Sequence, residues 1–173
     1  MRVMVIGHGR AGKDTCCEIL SELTGLKNAG TTSSYLAEFV AHKLGVSPEE
    51  AYSTRHESVA MRQLWYETGN EIREKDPLVL IKMAYAVGDI TGGVRDLAEI
   101  LYDKEEGLSD LIIWVERASV PTDPTLKIPR SEAHVIIDNN GPIEELREKL
   151  RPLATLIITK AFFEKCKKIK VPV

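Results

Sequence analysis

Gly7-His8-Gly9-Arg10-Ala11-Gly12-Lys13-Asp14-Thr15 is the stretch whose residue types and spacing carry chemistry. It has the G-x-x-x-x-G-K spacing of a loop that wraps a phosphate in backbone N–H groups. Gly7, Gly9 and Gly12 suit the tight curvature and close approach such a wrap needs. Lys13 supplies a mobile point charge for β- and γ-phosphates. The next residue is Asp14, where a Ser or Thr that ligates Mg²⁺ is usual. A carboxylate is also a hard-oxygen ligand, directly or through water, and it could equally act toward a phosphate acceptor. Thr15 would then contact phosphate.

The elements that must hold this loop lie around it. Val3 to Ile6 is a short apolar run ending at Gly7, the pattern of a buried strand entering a turn. From Lys13 to Thr24 the pattern turns helical, with Cys16, Ile19, Leu20 and Leu23 on one face and Gly25 as the C-terminal stop. Strand, glycine-rich turn and helix open an α/β domain. Helices are then expected over Tyr35 to Leu44, after the Ser47-Pro48 cap, over Val59 to Arg73, and from Asp76-Pro77 to about Val87. Alternation returns with strands at Ile90-Thr91, Leu111 to Val115 and Val135 to Ile137. Helices are expected at Val94 to Asp103, Ile143 to Leu150 and Ala154 to Lys168. The expected fold class is α/β, a parallel sheet of about five strands flanked by helices, as one domain with a helical insertion over residues 33–88.

Composition excludes several function classes. With 173 residues, 43% hydrophobic and 28% charged, the chain can bury a core and is no disordered chain, collagen-like fibre or disulfide miniprotein. Lys and Arg total 23 against 26 Asp and Glu, a net charge of −3, which argues against global attraction to nucleic acid or an anionic membrane. No apolar run reaches a membrane span and no signal-peptide layout opens the chain. Cys16, Cys17 and Cys166 suit reduced thiols in a cytoplasm, the adjacent pair packing on a helix. Lys160, Lys165, Lys167, Lys168 and Lys170 form a basic end that complements a helix C-terminus.

The Gly-Lys-Asp-Thr ending of the loop resembles that of the bacteriophage-type deoxynucleoside monophosphate kinases and the related phosphomevalonate kinases. Three further segments are similar to the phage-type pattern. Arg62-Gln63-Leu64 followed by Gly69 and Arg73 resembles the acceptor-side helix. Thr91-Gly92-Gly93-Val94-Arg95 with Glu99 resembles the segment after the third strand, and Asp138-Asn139-Asn140-Gly141 the one beside the nucleotide base. The resemblance spans most of the chain, and only the loop is specific by itself. Two residues depart from the pattern. Gly93 stands where the family carries an Asp, leaving Asp89 as the nearest carboxylate for a Walker-B-like metal contact, and Asn70 replaces a Thr.

The resemblance implies a P-loop, nucleotide-kinase-like fold and transfer of the ATP γ-phosphoryl, with Mg²⁺, to a (deoxy)nucleoside monophosphate in a cytoplasm (the host's, if phage-encoded). The acceptor phosphate is already an anion, so the chemistry asks for charge neutralisation and in-line positioning, and hence for arginines. The implied catalytic set is Lys13, Arg10, Asp14, Arg95 and Arg117. Gly7, Gly9, Ala11, Gly12, Lys13, Asp14, Thr15 and Asn140 would bind the nucleotide. Arg62, Arg73, Trp65 and Arg130 would face the acceptor, and Asp14 and Asp89 the metal. Arg95 and Arg117 follow strands, at the sheet edge where open α/β folds bind ligands. Residues 117–130, with Pro121, Pro124 and Pro129, read as a loop and a candidate lid. Trp65 and Tyr66 are candidates for stacking on the acceptor base, with core packing as the alternative. His8 is expected to point outward. Rival readings are a kinase of the phosphomevalonate or dephospho-coenzyme A type, and a nucleotide-binding protein with little turnover. The expected partners are small nucleotides, and the sequence is compatible with a homodimer. A motor or helicase needs more chain, and no Asn-Lys-x-Asp guanine motif of a signalling GTPase is present.

Overall fold

A computed structural model describes residues 1–168. Five strands, β1 (Val3–Ile6), β2 (Asn28–Thr31), β3 (Ile90–Gly92), β4 (Leu111–Glu116) and β5 (Val135–Asp138), form one sheet in the order 2-3-1-4-5. All four pairings are parallel, with Val3 of β1 level with Ile90 on one side and Leu111 on the other. The helices are α1 (Lys13–Thr24), α2 (Thr32–Leu44), α3 (Pro48–Thr54), α4 (Val59–Lys75), α5 (Val79–Val87), α6 (Leu97–Glu106) and α7 (Ile143–Lys168). The fold class is the expected α/β arrangement, a parallel sheet of five strands flanked by helices.

Why β1 sits centrally follows from its composition. Its four residues are fully buried, as a strand covered on both faces must be. Alternation then divides the core. Val3 and Val5 pack with Cys16 and Leu20 of α1 and with Leu146, Leu150, Leu153 and Ile157 of α7. Met4 and Ile6 meet Ile81 and Tyr85 of α5, Ile100 of α6 and Trp114 of β4. Leu36, Val40, Trp65 and Leu80 gather a third cluster within the helical insertion.

Three elements differ from expectation. β2, Asn-Ala-Gly-Thr, lacks an apolar run because it is an edge strand in which only Ala29 is buried. α6 starts at Leu97 rather than Val94, because Asp96 and Glu99 close a capping box that leaves residues 93–96 as loop. α7 passes through Pro152 as one helix of 26 residues where two helices were expected. Proline removes one helical hydrogen bond, but Leu150, Leu153, Ala154 and Ile157 carry the buried face across it. Beyond Ile157 the helix exposes Phe162 and Phe163, and Leu156 is 66% exposed. Lys170 of the basic end lies outside the described residues.

Two contacts fix the loop after β1. Gly7 adopts φ 143°, and a Cβ there would stand 2.3 Å from the Val115 carbonyl oxygen. Asn139, buried after β5, donates from Nδ2 to the Ala11 carbonyl at 2.8 Å, and its own N–H bonds Glu116 O at 2.7 Å. The loop is thereby tied to the far half of the sheet.

Leu150→Ala should lower unfolding free energy by about 2–5 kcal/mol in urea titrations, whereas Leu156→Ala should stay within about 0.5 kcal/mol. Asn139→Ala leaves the Ala11 carbonyl without its partner and should cost about 1–3 kcal/mol by the same measurement.

Candidate functional site

The site is built where β1, β3 and β4 end. Gly12 caps α1 in a left-handed conformation (φ 94°), and no side chain caps the helix. The first-turn amides and the positive end of the helix dipole are thus available to an anion. Lys13 Nζ donates to His8 O at 2.7 Å. Burial lowers the Lys13 pKa, the positive charge of Arg95 adds to this, and Asp14 and Asp123 oppose it. Arg10 is exposed and holds φ 65°, the one left-handed non-glycine among the described residues.

His8 does not point outward. Its Nδ1 accepts the Asp123 N–H at 3.1 Å, and its ring stands edge-on to Trp114 with centroids 5.4 Å apart. Residues 117–129, without helix or strand, lie against the site at several points. Ala118 N–H donates to Asn140 Oδ1 at 2.7 Å. Arg95 Nη1 donates to Asp123 Oδ2 at 2.5 Å and to Thr125 Oγ1 at 2.6 Å, while Lys127 N–H bonds the Arg95 carbonyl at 2.8 Å. Ile128 is buried, and Arg130 pairs with Glu116 at 3.0 Å. Burial pushes the Asp123 carboxyl up, but hydrogen bonds from Thr125 and Arg95 outweigh it and hold the pKa down to about 2.

Opposite this segment the insertion supplies cations. His56, in the turn between α3 and α4, has its pKa lowered by burial and then by Arg55, Arg62, Arg95 and Arg10, so the charges of four guanidiniums reach this position at the mouth of the site. Arg55 stacks over the Tyr52 ring at 3.8 Å and bonds Tyr52 O at 2.6 Å. Arg73 donates to Asn70 Oδ1 at 2.9 Å, and its charge acts on the buried Glu99, whose pKa burial raises. Tyr66 is exposed, and its hydroxyl pKa is lowered by hydrogen bonding to Asn70 and by Lys127. Beside the mouth a cleft of about 250 Å³ is lined by Asp14 and Glu18 of α1, Asn28 and Thr31 of β2, Ser34 of α2 and Tyr52 of α3.

Of the sequence-derived set, Lys13, Arg10, Asp14 and Arg95 come together here with the loop backbone of Gly7, Gly9, Ala11, Gly12 and Thr15, and Arg62 reaches the site through its charge on His56. Arg73 stands behind them on Asn70, and Arg117 is exposed just past β4. Arg130 is engaged by Glu116. Two assignments are corrected. Asp89 precedes β3 and accepts the Lys27 N–H at 3.0 Å, at the opposite edge of the sheet from the loop, so it is no metal contact here. Trp65 is 8% exposed and packs edge-on to Tyr52, so it offers no stacking face. Nor has position 93 room for a carboxylate. At φ 89°, a Cβ there would lie 3.0 Å from Thr32 Oγ1 and 3.2 Å from Thr31 Cβ. Among the described residues no group of three His, Cys, Asp or Glu gathers to hold a metal ion. Asp14 is exposed and lines the cleft.

Sequence reasoning missed Asp123 and assigned no role of their own to Asn139, within the segment beside the base, or to Arg55, one of the available arginines. Asn139 stood beside the chosen Asn140, and Asp123 sits in a Thr-Asp-Pro-Thr run whose only signal is a turn.

No helix among the described residues is long and apolar enough to cross a membrane. No protein-family model matches the chain, and no curated protein sequence does. Among solved structures, an unliganded sugar kinase from a Janibacter species is similar to the chain with a TM-score of 0.48 and 18% sequence identity, over 92% of this chain and 96% of that one.

Proposed function

We propose that the chain is a P-loop kinase that moves the γ-phosphoryl of ATP onto a (deoxy)nucleoside monophosphate. The observation that carries this reading is the uncapped start of α1 with its glycine loop and Lys13, where the charge of Arg95 acts on Lys13 and those of Arg10, Arg55, Arg62 and Arg95 act together on His56. The loop amides and Lys13 would hold the donor phosphates, Lys13 turning from the His8 carbonyl to do so. An acceptor phosphate oxygen would form the new bond to the γ-phosphorus as the bond to the bridging oxygen breaks and ADP leaves. The arginines would hold the two anions in line and neutralise the charge spread over the transferred group. Mg²⁺ brought by the nucleotide would add Lewis-acid charge neutralisation, with Asp14 positioned to bind it or its waters. The cleft beside Asp14 would receive the acceptor's sugar and base, and residues 117–130 would border the donor phosphates. Asn140 would lie toward the nucleotide base.

A second reading, nucleotide binding with little turnover, is favoured by the crowding that bars a carboxylate from position 93.

A coupled ATP-consumption screen over the eight common ribo- and deoxyribonucleoside monophosphates tests the proposal. Turnover with at least one is expected, with kcat lowered by about 10²–10³ in Lys13→Ala, the loss of a charge-stabilising group. Arg62→Ala should instead raise the KM for the acceptor by about 10- to 100-fold. Silence across the panel with ATP binding intact would remove the nucleotide-kinase reading and leave a kinase for another small phosphorylated metabolite or the second reading.

A further inference from the structure

Asp123 is the negative group placed among the cations of the loop. Its Oδ2 takes the Arg95 guanidinium at 2.5 Å and lies 3.3 Å from where a Cβ on Gly9 would stand, so the carboxylate sits against the loop at Gly9. Its charge reaches Lys13, and its own N–H is fixed by His8 Nδ1. Carboxylate and phosphate oxygens compete for the same donors, and two anions cannot share one guanidinium and one glycine face without mutual repulsion.

We propose that Asp123 is a built-in competitor of the donor phosphates: a nucleotide that takes Arg95 and the Gly9 face must displace this carboxylate and lift the segment that carries it. The inference rests on the donor-site reading above. Around Asp123 the ties of the segment to the rest of the molecule run through His8 and Arg95. Lys127 N–H bonds the Arg95 carbonyl, Thr125 N–H turns inward within the segment to Asp123 Oδ1 at 3.0 Å, and Pro121, Thr122, Pro124 and Thr125 are exposed. The opposite assignment makes Asp123 a carboxylate that helps bind Mg²⁺ with the nucleotide, and it predicts the reverse effects.

The experiment measures ATP dissociation constants by calorimetry for the wild-type chain, Asp123→Asn and Lys13→Ala, with EDTA and again with Mg²⁺. Competition predicts that Asp123→Asn binds Mg²⁺-free ATP about tenfold more tightly, because the closed form no longer lowers the fraction competent to bind. Equal or weaker binding overturns the proposal, as does a loss confined to the Mg²⁺ series. Hydrogen exchange on the wild-type chain gives an independent readout should the variant fail to fold. Saturating ATP should speed exchange at the Thr125 and Lys127 amides, and slower or unchanged exchange overturns the proposal. ATP bound by neither wild type nor Asp123→Asn would sink the donor-site reading and this inference together. Turnover and ATP binding intact, with Asp123→Asn unchanged, would sink this inference alone.

Discussion

Where the chain leaves β1 there is no space for a side chain. The Val115 carbonyl oxygen comes within 2.3 Å of the position a Gly7 Cβ would take, at a backbone angle L-residues rarely adopt. This close pass of the central strand's end against β4 sets the rest. It aims the loop across the sheet edge, brings Ala11 to Asn139, and starts α1 with its amides uncapped toward the mouth. A residue with any side chain at position 7 would move the loop away from all of them.

The parallel sheet is what lets distant residues meet there. In an all-parallel sheet every strand delivers its following residue to the same edge. So Gly93 and Arg95 after β3, Arg117 after β4 and Asn139 after β5 arrive together, though they are spread across the chain. The same geometry sends a residue that precedes a strand to the other side, which is where Asp89 went. Its short sequence distance from Arg95 concealed a full strand of separation.

β1, the loop and α1 were legible because a buried apolar run, three glycines and a helical stripe are local signals that agree with one another. The helices of the insertion followed from caps and spacing, with Ser47 accepting from the Glu50 N–H as its type predicts. β2 was invisible because a strand at the sheet edge with one buried residue needs no apolar run. Pro152 misled because packing across α7 outweighs one missing hydrogen bond. Trp65 was ambiguous since a helix-face aromatic reads alike whether it faces a ligand or the α2 and α3 core. The role of Asp123 lay beyond reach, for its partner Arg95 is 28 residues away and the intervening loop has no period to follow.

The cysteines give the region beneath the loop an internal clock. Cys16 and Cys17 lie in the core at the start of α1, and burial pushes the Cys16 thiol up to about 12 and the Cys17 thiol up as well. Cys166 is exposed on α7. An alkylating reagent therefore consumes the outer thiol at the pace of ordinary solution chemistry and reaches the inner pair only when α1 lifts from the sheet. The slow phase of labelling thus counts openings of the helix that carries Lys13, and any anion gripped at its start lengthens the interval between them.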